Sequence, residues 1–463
     1  MSAHESDVTE SIHPVDRAAP KGRPRVPTWV VTSLWVVCAA AFGFAVGQAA
    51  EVTMLVLGSV IALVVLLAHV ELAAVTLVIA SCFEDYLSTV SSASVKALAV
   101  VLVGAWAIRR VRGPLVAGRP ALIIYPVAAF TSVLLLSVVL HGAGPGVAGS
   151  LSRWAGFLAV LLVLTDCLRR AEFVERLIGA YVSACALAAA CGLLAYARGD
   201  VRVGGPIGDP NDFAVFLLAA LPLSIAGRRA GRRTWAWDLA SVTILVAVAG
   251  TLSRGAVVGL LAMLLFATVT RQISGTALAG IAGVLLALGA FTVGFFPDQV
   301  SNSLTQKSAI ADQNVSERLY LWHSAEQMVL DSPLIGRGPG SFSTEHQEYV
   351  DRLPISVDHL LDVAHNTYLE VAAELGVLGL LGFLAIMVVG FRGAWQVWRR
   401  DGDPIAAGVT SAFVGVGLAA MFLSEQFYLP FWLLAALGAG RAAQPRDRRP
   451  VVIWSVEDAV PCG

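Results

Sequence analysis

The sequence predicts an all-α polytopic membrane protein, with about 12–14 transmembrane helices and one large extracytoplasmic loop. Three observations predict it. The 463 residues are 57% hydrophobic and only 14% charged, where a soluble chain carries about 25% charged residues. Apolar runs recur at close to the roughly 20 residues that cross a bilayer. Arginines gather in every second loop, as they do where basic turns stay in the cytoplasm. Within such runs only helices satisfy their own backbone polar groups.

Residues 1–28 are polar and carry Pro14, Pro20, Pro24 and Pro27. They are expected to be a disordered cytoplasmic tail, with no cleavable signal peptide evident. Residues 29–200 form an N-terminal transmembrane bundle. Its apolar stretches run from about Trp29 to Gly47, Val52 to Ala68, Val70 to Phe83, Val95 to Ile108, Ala121 to Leu140, Val147 to Leu164 and Val174 to Ala197. The second and third make a tight hairpin turning at His69 and Glu71. Residues 201–296 add Phe213 to Ala226, Trp235 to Leu252, Ala256 to Val269 and Thr276 to Phe296. The extracytoplasmic loop occupies 297–363. Residues 364–440 close the bundle with Ala364 to Val389, Ile405 to Ser424 and Phe427 to Leu437, and 441–463 form a cytoplasmic tail.

The arginine clusters fix the expected sidedness. Arg109, Arg110 and Arg112, Arg169 and Arg170, Arg228 to Arg233, Arg271, Arg392, Arg399 and Arg400, and the tail all fall on one side. Both termini are therefore expected in the cytoplasm. The segment GDVRVGGPIGDPN, the Ser253-Arg254-Gly255 turn and the long loop are expected outside. Arg202, Arg254 and Arg318 run against the usual bias there. An anionic ligand is the simplest reason for them.

Arg254 sits in a turn between two apolar helices, where a guanidinium either forks onto a carboxylate or phosphate or snorkels to lipid headgroups. Gly255 permits close approach at that turn. Arg318 opens a stripe of Leu319, Leu321, Trp322, Ala325, Met328 and Val329, the pattern of an interfacial amphipathic helix. Asp331-Ser332-Pro333 ends it. The glycine-rich turn that follows carries Arg337 but no Walker lysine, so it is not a nucleotide loop. His365 stands at the mouth of a membrane helix with Asn366, Glu370 and Glu374. A lone histidine there is either a structural hydrogen-bonder or a general base. Glu84-Asp85 could form a metal-binding pair, but no histidine or further aspartate lies near it in sequence, which favours a solvated turn. Asp209-Pro210-Asn211-Asp212 reads as a helix cap. The six cysteines, Cys38, Cys82, Cys167, Cys185, Cys191 and Cys462, lack zinc or CxxC spacing and are expected to pack as small apolar residues. Neither a metal nor a cofactor is expected.

These same segments resemble the O-antigen ligase and polymerase family. G-D-P-N-D before a helix, T-L-S-R-G-A between two helices, S-E-R-L-Y-L-W with a following S-P-L-I-G-R-G-P-G-S-F, and A-H-N-T-Y-L-E with E-L-G occur in this order from about Arg202 to Gly390. The resemblance implies a GT-C-like membrane glycosyltransferase of the cell envelope, active in polysaccharide biosynthesis. Its donor would be an undecaprenyl-pyrophosphate-linked glycan, its acceptor a glycan, a glycolipid or a protein hydroxyl, and nucleic acid would have no part. It further implies that Arg254 and Arg318 hold the pyrophosphate and that His365 activates the acceptor; Arg202, as an outer arginine, is expected to bind the pyrophosphate with them. Asn366, Glu370, Arg337 and Trp322 would support them. Two other readings compete, a transporter of a small solute or lipid-linked glycan and a non-catalytic membrane scaffold. No inverted repeat supports the first, and the second leaves the outer arginines unexplained.

Overall fold

The structure is a computed structural model and describes residues 50–112, 121–142, 144, 146–229, 234–295, 317–351 and 362–444. The N-terminal tail, the first expected span, the 297–316 and 352–361 parts of the long loop and the tail beyond 444 lie outside the described residues. Among the described residues every regular element is helical. The expectation of an all-α membrane protein holds.

The chain divides at residue 64. Residues 50–64 form most of helix α1 (Ala50–Ala68), whose Val52, Met54 and Leu55 are exposed. An apolar helix with bare sides suits a hydrocarbon surrounding. The second unit starts at Val65 with the end of α1 and continues, after a turn at His69, with α2 (Val70–Ser81), then the short α3 (Glu84–Ser88) and α4 (Ser94–Arg112). It continues through α5 (Ile124–His141), α6 (Val147–Cys167), α7 (Ala171–Ala197) and a 3₁₀ turn at Gly205–Ile207. Next come α8 (Pro210–Arg229), α9 (Thr234–Gly250), α10 (Arg254–Val269) and α11 (Gly275–Phe295). A helix over 317–331 (α12) and α13 (Ser341–Val350) occupy the long loop. α14 (Thr367–Asp401), α15 (Pro404–Ala419) and α16 (Leu429–Ala442) complete the fold.

Among the described residues six helices are long and apolar enough to cross a membrane, α1, α5, α6, α7, α8 and α14, and five shorter apolar helices accompany them. α8 and α16 form the core. α8 is buried without a break from Phe213 to Ser224, and α16 from Leu429 to Gly440. α16 packs on α14 and α6, and α15 bridges α8 and α10. Where α14 meets α16, Gly390 and Gly393 face Ala435 and Gly438. Small residues of this kind let membrane helices approach closely.

Turns expected on one side of the membrane touch each other. At the basic end, Arg170 and Arg176 pair with Glu71 at 3.0 and 3.4 Å, Arg110 with Asp166 at 2.8 Å, and Arg228 with Asp238 at 2.9 Å. Arg441 pairs with Asp403, which also caps α15. At the other end, which carries the long loop, Ser137 Oγ donates to the Ile335 carbonyl at 3.2 Å.

The loop end holds the main irregularity. α14 breaks at Gly376 (φ 68°, ψ −173°), inside what the sequence presents as one apolar run. The segment 333–338 fills the break. Val377 N–H donates to Pro333 O at 2.8 Å, while Arg337 and Gly338 N–H donate to Ala373 and Glu374 O at 3.0 and 2.9 Å. The carbonyls freed by the break are thereby satisfied, as a low-dielectric surrounding demands. Gly336 (φ 70°) lies against the Glu374 carbonyl and Gly376 against Leu334, so a Cβ at either position would collide with backbone. Gly336 and Gly338 of G-R-G-P-G thus serve a backbone splice.

Candidate functional site

Three strands of chain meet at the loop end. The first is the 198–212 connection. Arg202 Nε donates to the Thr251 carbonyl at 2.8 Å and its Nη2 to Asn211 Oδ1 at 2.9 Å, while Val203 N–H donates to Gly250 O at 3.0 Å. These bonds fasten the connection to the end of α9. Leu252 follows with φ 51°, a left-handed conformation costly for leucine. Ser253 then caps α10, its Oγ accepting from Ala256 N–H at 3.4 Å. Arg254 is thereby set as the first residue of α10, with its side chain exposed.

The second strand is α12. Arg318 Nη1 donates to the Phe422 carbonyl at 3.1 Å. Trp322 lies one turn on, its ring 6.4 Å from that of Phe422, with a buried Nε1 that finds no acceptor among the described residues.

The third is the entry to α14. His365 adopts φ 49°. Asn366 Oδ1 caps the helix by accepting from Tyr368 and Leu369 N–H at 3.1 and 3.2 Å. Buried Glu370 accepts from Ala364 N–H at 2.9 Å and from the side chains of Ser424 and Gln426. His365 is therefore clamped between a cap on one side and a buried carboxyl group on the other. The two restraints hold the backbone around His365 in its left-handed conformation.

The three strands converge electrostatically. Burial, and then the Arg318 guanidinium, push the His365 imidazole down to about 4, against an opposing pull from Asp209. It is neutral at pH 7. Arg318 lies below its ordinary range through burial. Asp209 opposes that shift, Arg254 adds to it, and Glu317 opposes it again. Arg202 is lowered by burial, raised by Asp209 and lowered by Arg318. Arg202, Arg254, Arg318 and His365 therefore share one field, with the exposed Asp209 among them.

Arg337 is not brought to this cluster. It pairs with Glu345 at 3.0 Å, and that hydrogen bond raises it above its ordinary range. The Glu84-Asp85 turn is less isolated than its sequence neighbourhood suggests. α3 packs on the Gly205–Ile207 turn, and the Asp85 carboxyl group comes up against Gly208, next to Asp209. Even so, no group of three or more His, Cys, Asp or Glu among the described residues is arranged to hold a metal.

The residues that hold the candidate site and that no sequence motif marks lie in the 420–428 turn. Phe422 O holds Arg318, Ser424 and Gln426 hold Glu370, and the Ala420 and Leu423 carbonyls accept from Thr367 N–H at 3.0 and 2.8 Å. Their signal is Ser424-Glu425-Gln426, a polar interruption between two apolar runs where a charge is costly.

Residues 239–384 match the family model described as O-antigen ligase. That segment of the chain is similar to the O-antigen ligase family. Arg254, Arg318, Trp322, Arg337, His365, Asn366 and Glu370 fall inside the matched segment, whereas Arg202, Asp209 and the 420–428 turn fall outside it. A Rickettsia typhi protein provisionally named polysaccharide ligase is 23% identical over 139 residues, 29% of this chain. The match spans 33% of that relative's length. Its apolar helices are those of a multi-pass membrane protein, and its similarity to the ligase family lies within residues 239–384.

Proposed function

We propose that the protein is a metal-independent, inverting glycosyltransferase. It would move glycan from an undecaprenyl-pyrophosphate donor to an acceptor hydroxyl at the outer face of the cytoplasmic membrane. The observation that carries this reading is Arg318, which bears on the neutral His365 and is coupled in turn to Arg202 and Arg254. Arg254 and Arg318 neutralise the charge that grows on the pyrophosphate as its bond to the anomeric carbon breaks. Arg202 is committed to Thr251 and Asn211, and adds its field from behind. The acceptor oxygen bonds to the anomeric carbon from the opposite face while the leaving pyrophosphate keeps the bonding electrons. The hydroxyl proton passes to His365. One displacement inverts the centre.

The sidedness follows the arginine alternation, with the loop end outside. A phosphate leaving group and a neutral base need no metal for this step, so transfer persists in chelator. The test is the lipid pool of a strain lacking the gene. A polyprenyl-pyrophosphate-linked glycan accumulates there, it disappears when the wild-type gene is returned, and it persists when the returned gene encodes Arg318→Ala. An unchanged lipid-linked pool overturns the function.

A further inference from the structure

Beneath the arginines lies a polar cluster that the transfer reaction does not use. Glu425, in the 420–428 turn, is 0% exposed, and neither carboxyl oxygen receives an N–H or O–H from any described residue. Its neighbour within hydrogen-bond reach is the carboxyl group of Asp212, near the start of α8. Asp212 Oδ2 accepts in turn from the Tyr428 hydroxyl at 2.7 Å. The same turn is stitched to the helix that begins two residues after His365. Glu425 N–H donates to Thr367 Oγ1 at 2.8 Å, and that hydroxyl donates to Leu423 O at 2.7 Å.

The groups that face Glu425 are Asp212 from α8, Asp209 from the preceding connection and Tyr181 from α7. Tyr428 stands at the start of α16, with Glu84 from α3 bearing on it. None of these is a cation. Two ionised carboxylates this close, one buried and the other half-buried, with no cation among the groups named, repel strongly enough that one keeps its proton.

We propose that Asp212 and Glu425 share one proton. The acid pair pins the 420–428 turn to α8, and so sets the Phe422 carbonyl that holds Arg318 and the Ser424 and Gln426 side chains that hold Glu370. Burial, and then the charges of Asp212 and Asp209, push the Glu425 carboxyl well above the usual carboxylate range. Glu425 is a positioning residue here, since its contacts run to the turn and not to the reacting atoms. That positioning role rests on the transfer function proposed above, whereas the shared proton does not.

The full-length protein in detergent, without substrate, tests it. At about pH 8, where an ordinary carboxyl is ionised, infrared spectra contain a protonated-carboxyl stretch that both Glu425→Gln and Asp212→Asn remove. Either amide can donate to the remaining carboxylate, so both variants keep the pair's hydrogen bond and fold. The linkage sign is that of a raised carboxyl pKa. Above about pH 4 the unfolded chain releases a proton that the folded chain retains, so wild-type thermal stability falls as pH rises towards the folded pKa. In Glu425→Gln that decline flattens. Transfer by Glu425→Gln stays within about 3-fold of wild type near pH 7 and extends to more alkaline pH.

Two results overturn the proposal. One is an infrared band unchanged in both variants. The other is a well-folded Glu425→Gln that loses transfer about 100-fold or more at every pH, which makes Glu425 an ionised catalytic group. Should the variants not fold, titration of the wild-type band decides, and loss of every protonated-carboxyl band below pH 7 sinks the pair. If wild-type protein itself transfers no glycan, the infrared and thermal results still stand or fall alone.

Discussion

Arginines at the two ends of the helical unit keep different company. At the basic end Arg110, Arg170, Arg176, Arg228 and Arg441 each face a carboxylate. At the loop end Arg202 and Arg318 lean on neutral carbonyl and amide oxygens, and exposed Arg254 has no ion pair among the described residues. A guanidinium bonded to a carbonyl keeps its charge unspent, while one bonded to a carboxylate does not. The basic end uses arginine to tie helices together. At the loop end its charge meets no carboxylate partner among the described residues, with Arg337 and its Glu345 partner as the local exception.

Breaking the loop-end arginines produces the largest effect. Arg318→Ala and Arg254→Ala each slow transfer by about 10²–10³-fold and weaken donor binding, because both the bound and the reacting donor carry the charge. Lysine at either position restores only part, since it cannot fork across two oxygens. Donor affinity and single-turnover transfer on purified protein measure both effects, and an Arg318→Ala variant with unchanged donor affinity removes the contrast between the two ends.

His365 comes next. His365→Asn, a residue tolerated at positive φ, cuts turnover about 100-fold while donor affinity stays near wild type. On ionisation of an ordinary histidine, wild-type activity would fall below about pH 6.5. The structure moves that limb down to about 4. The stability sign follows from the same shift. Between about 6.5 and about 4 the unfolded chain takes up a proton that folded His365 refuses, so stability declines as pH falls through that window and is unaffected above it. Activity that halves near pH 6.5, with folding intact, shows His365 to be less enclosed than this geometry requires.

Gly376→Ala acts on stability more than on chemistry. The added Cβ meets the Leu334 carbonyl in a left-handed backbone, at a cost of about 1–3 kcal/mol, read as a fall in thermal midpoint in detergent. The smallest effect belongs to the basic end. Arg110→Ala removes a partly exposed ion pair to Asp166 worth about 0–1 kcal/mol and leaves transfer unchanged.

The contrast between ends is partly legible in the sequence. Helix positions follow from apolar length, and the Val70, Val147 and Ala197 boundaries fall where the sequence puts them. The odd-sided arginines and the helix-mouth histidine stand out because charge beside hydrocarbon is costly. Three things stay hidden. The break at Gly376 lies in an unbroken apolar run, and only a second segment 40 residues earlier, at Gly336, makes it possible. Asp209 passes for a cap because its Oδ1 does accept from Asn211 N–H at 2.6 Å, while its field on His365 depends on how distant helices meet. The side-chain partners of Glu370 are more than 50 residues away in the 420–428 turn, beyond any local pattern.

The splice at Gly376 also decides how this protein can be cut and recombined. Segment 333–338 and the two halves of α14 complete each other's backbone hydrogen bonds, so neither is a separable module. A chimera that exchanges the long loop at its ends, near 297 and 363, strands the Val377 and Leu378 N–H groups and the Ala373 and Glu374 carbonyls inside the bundle. A cassette from the start of α12 through residue 378 carries both sides of the splice and the His365 clamp's own helix together. It still has to be matched to the 420–428 turn of its new host.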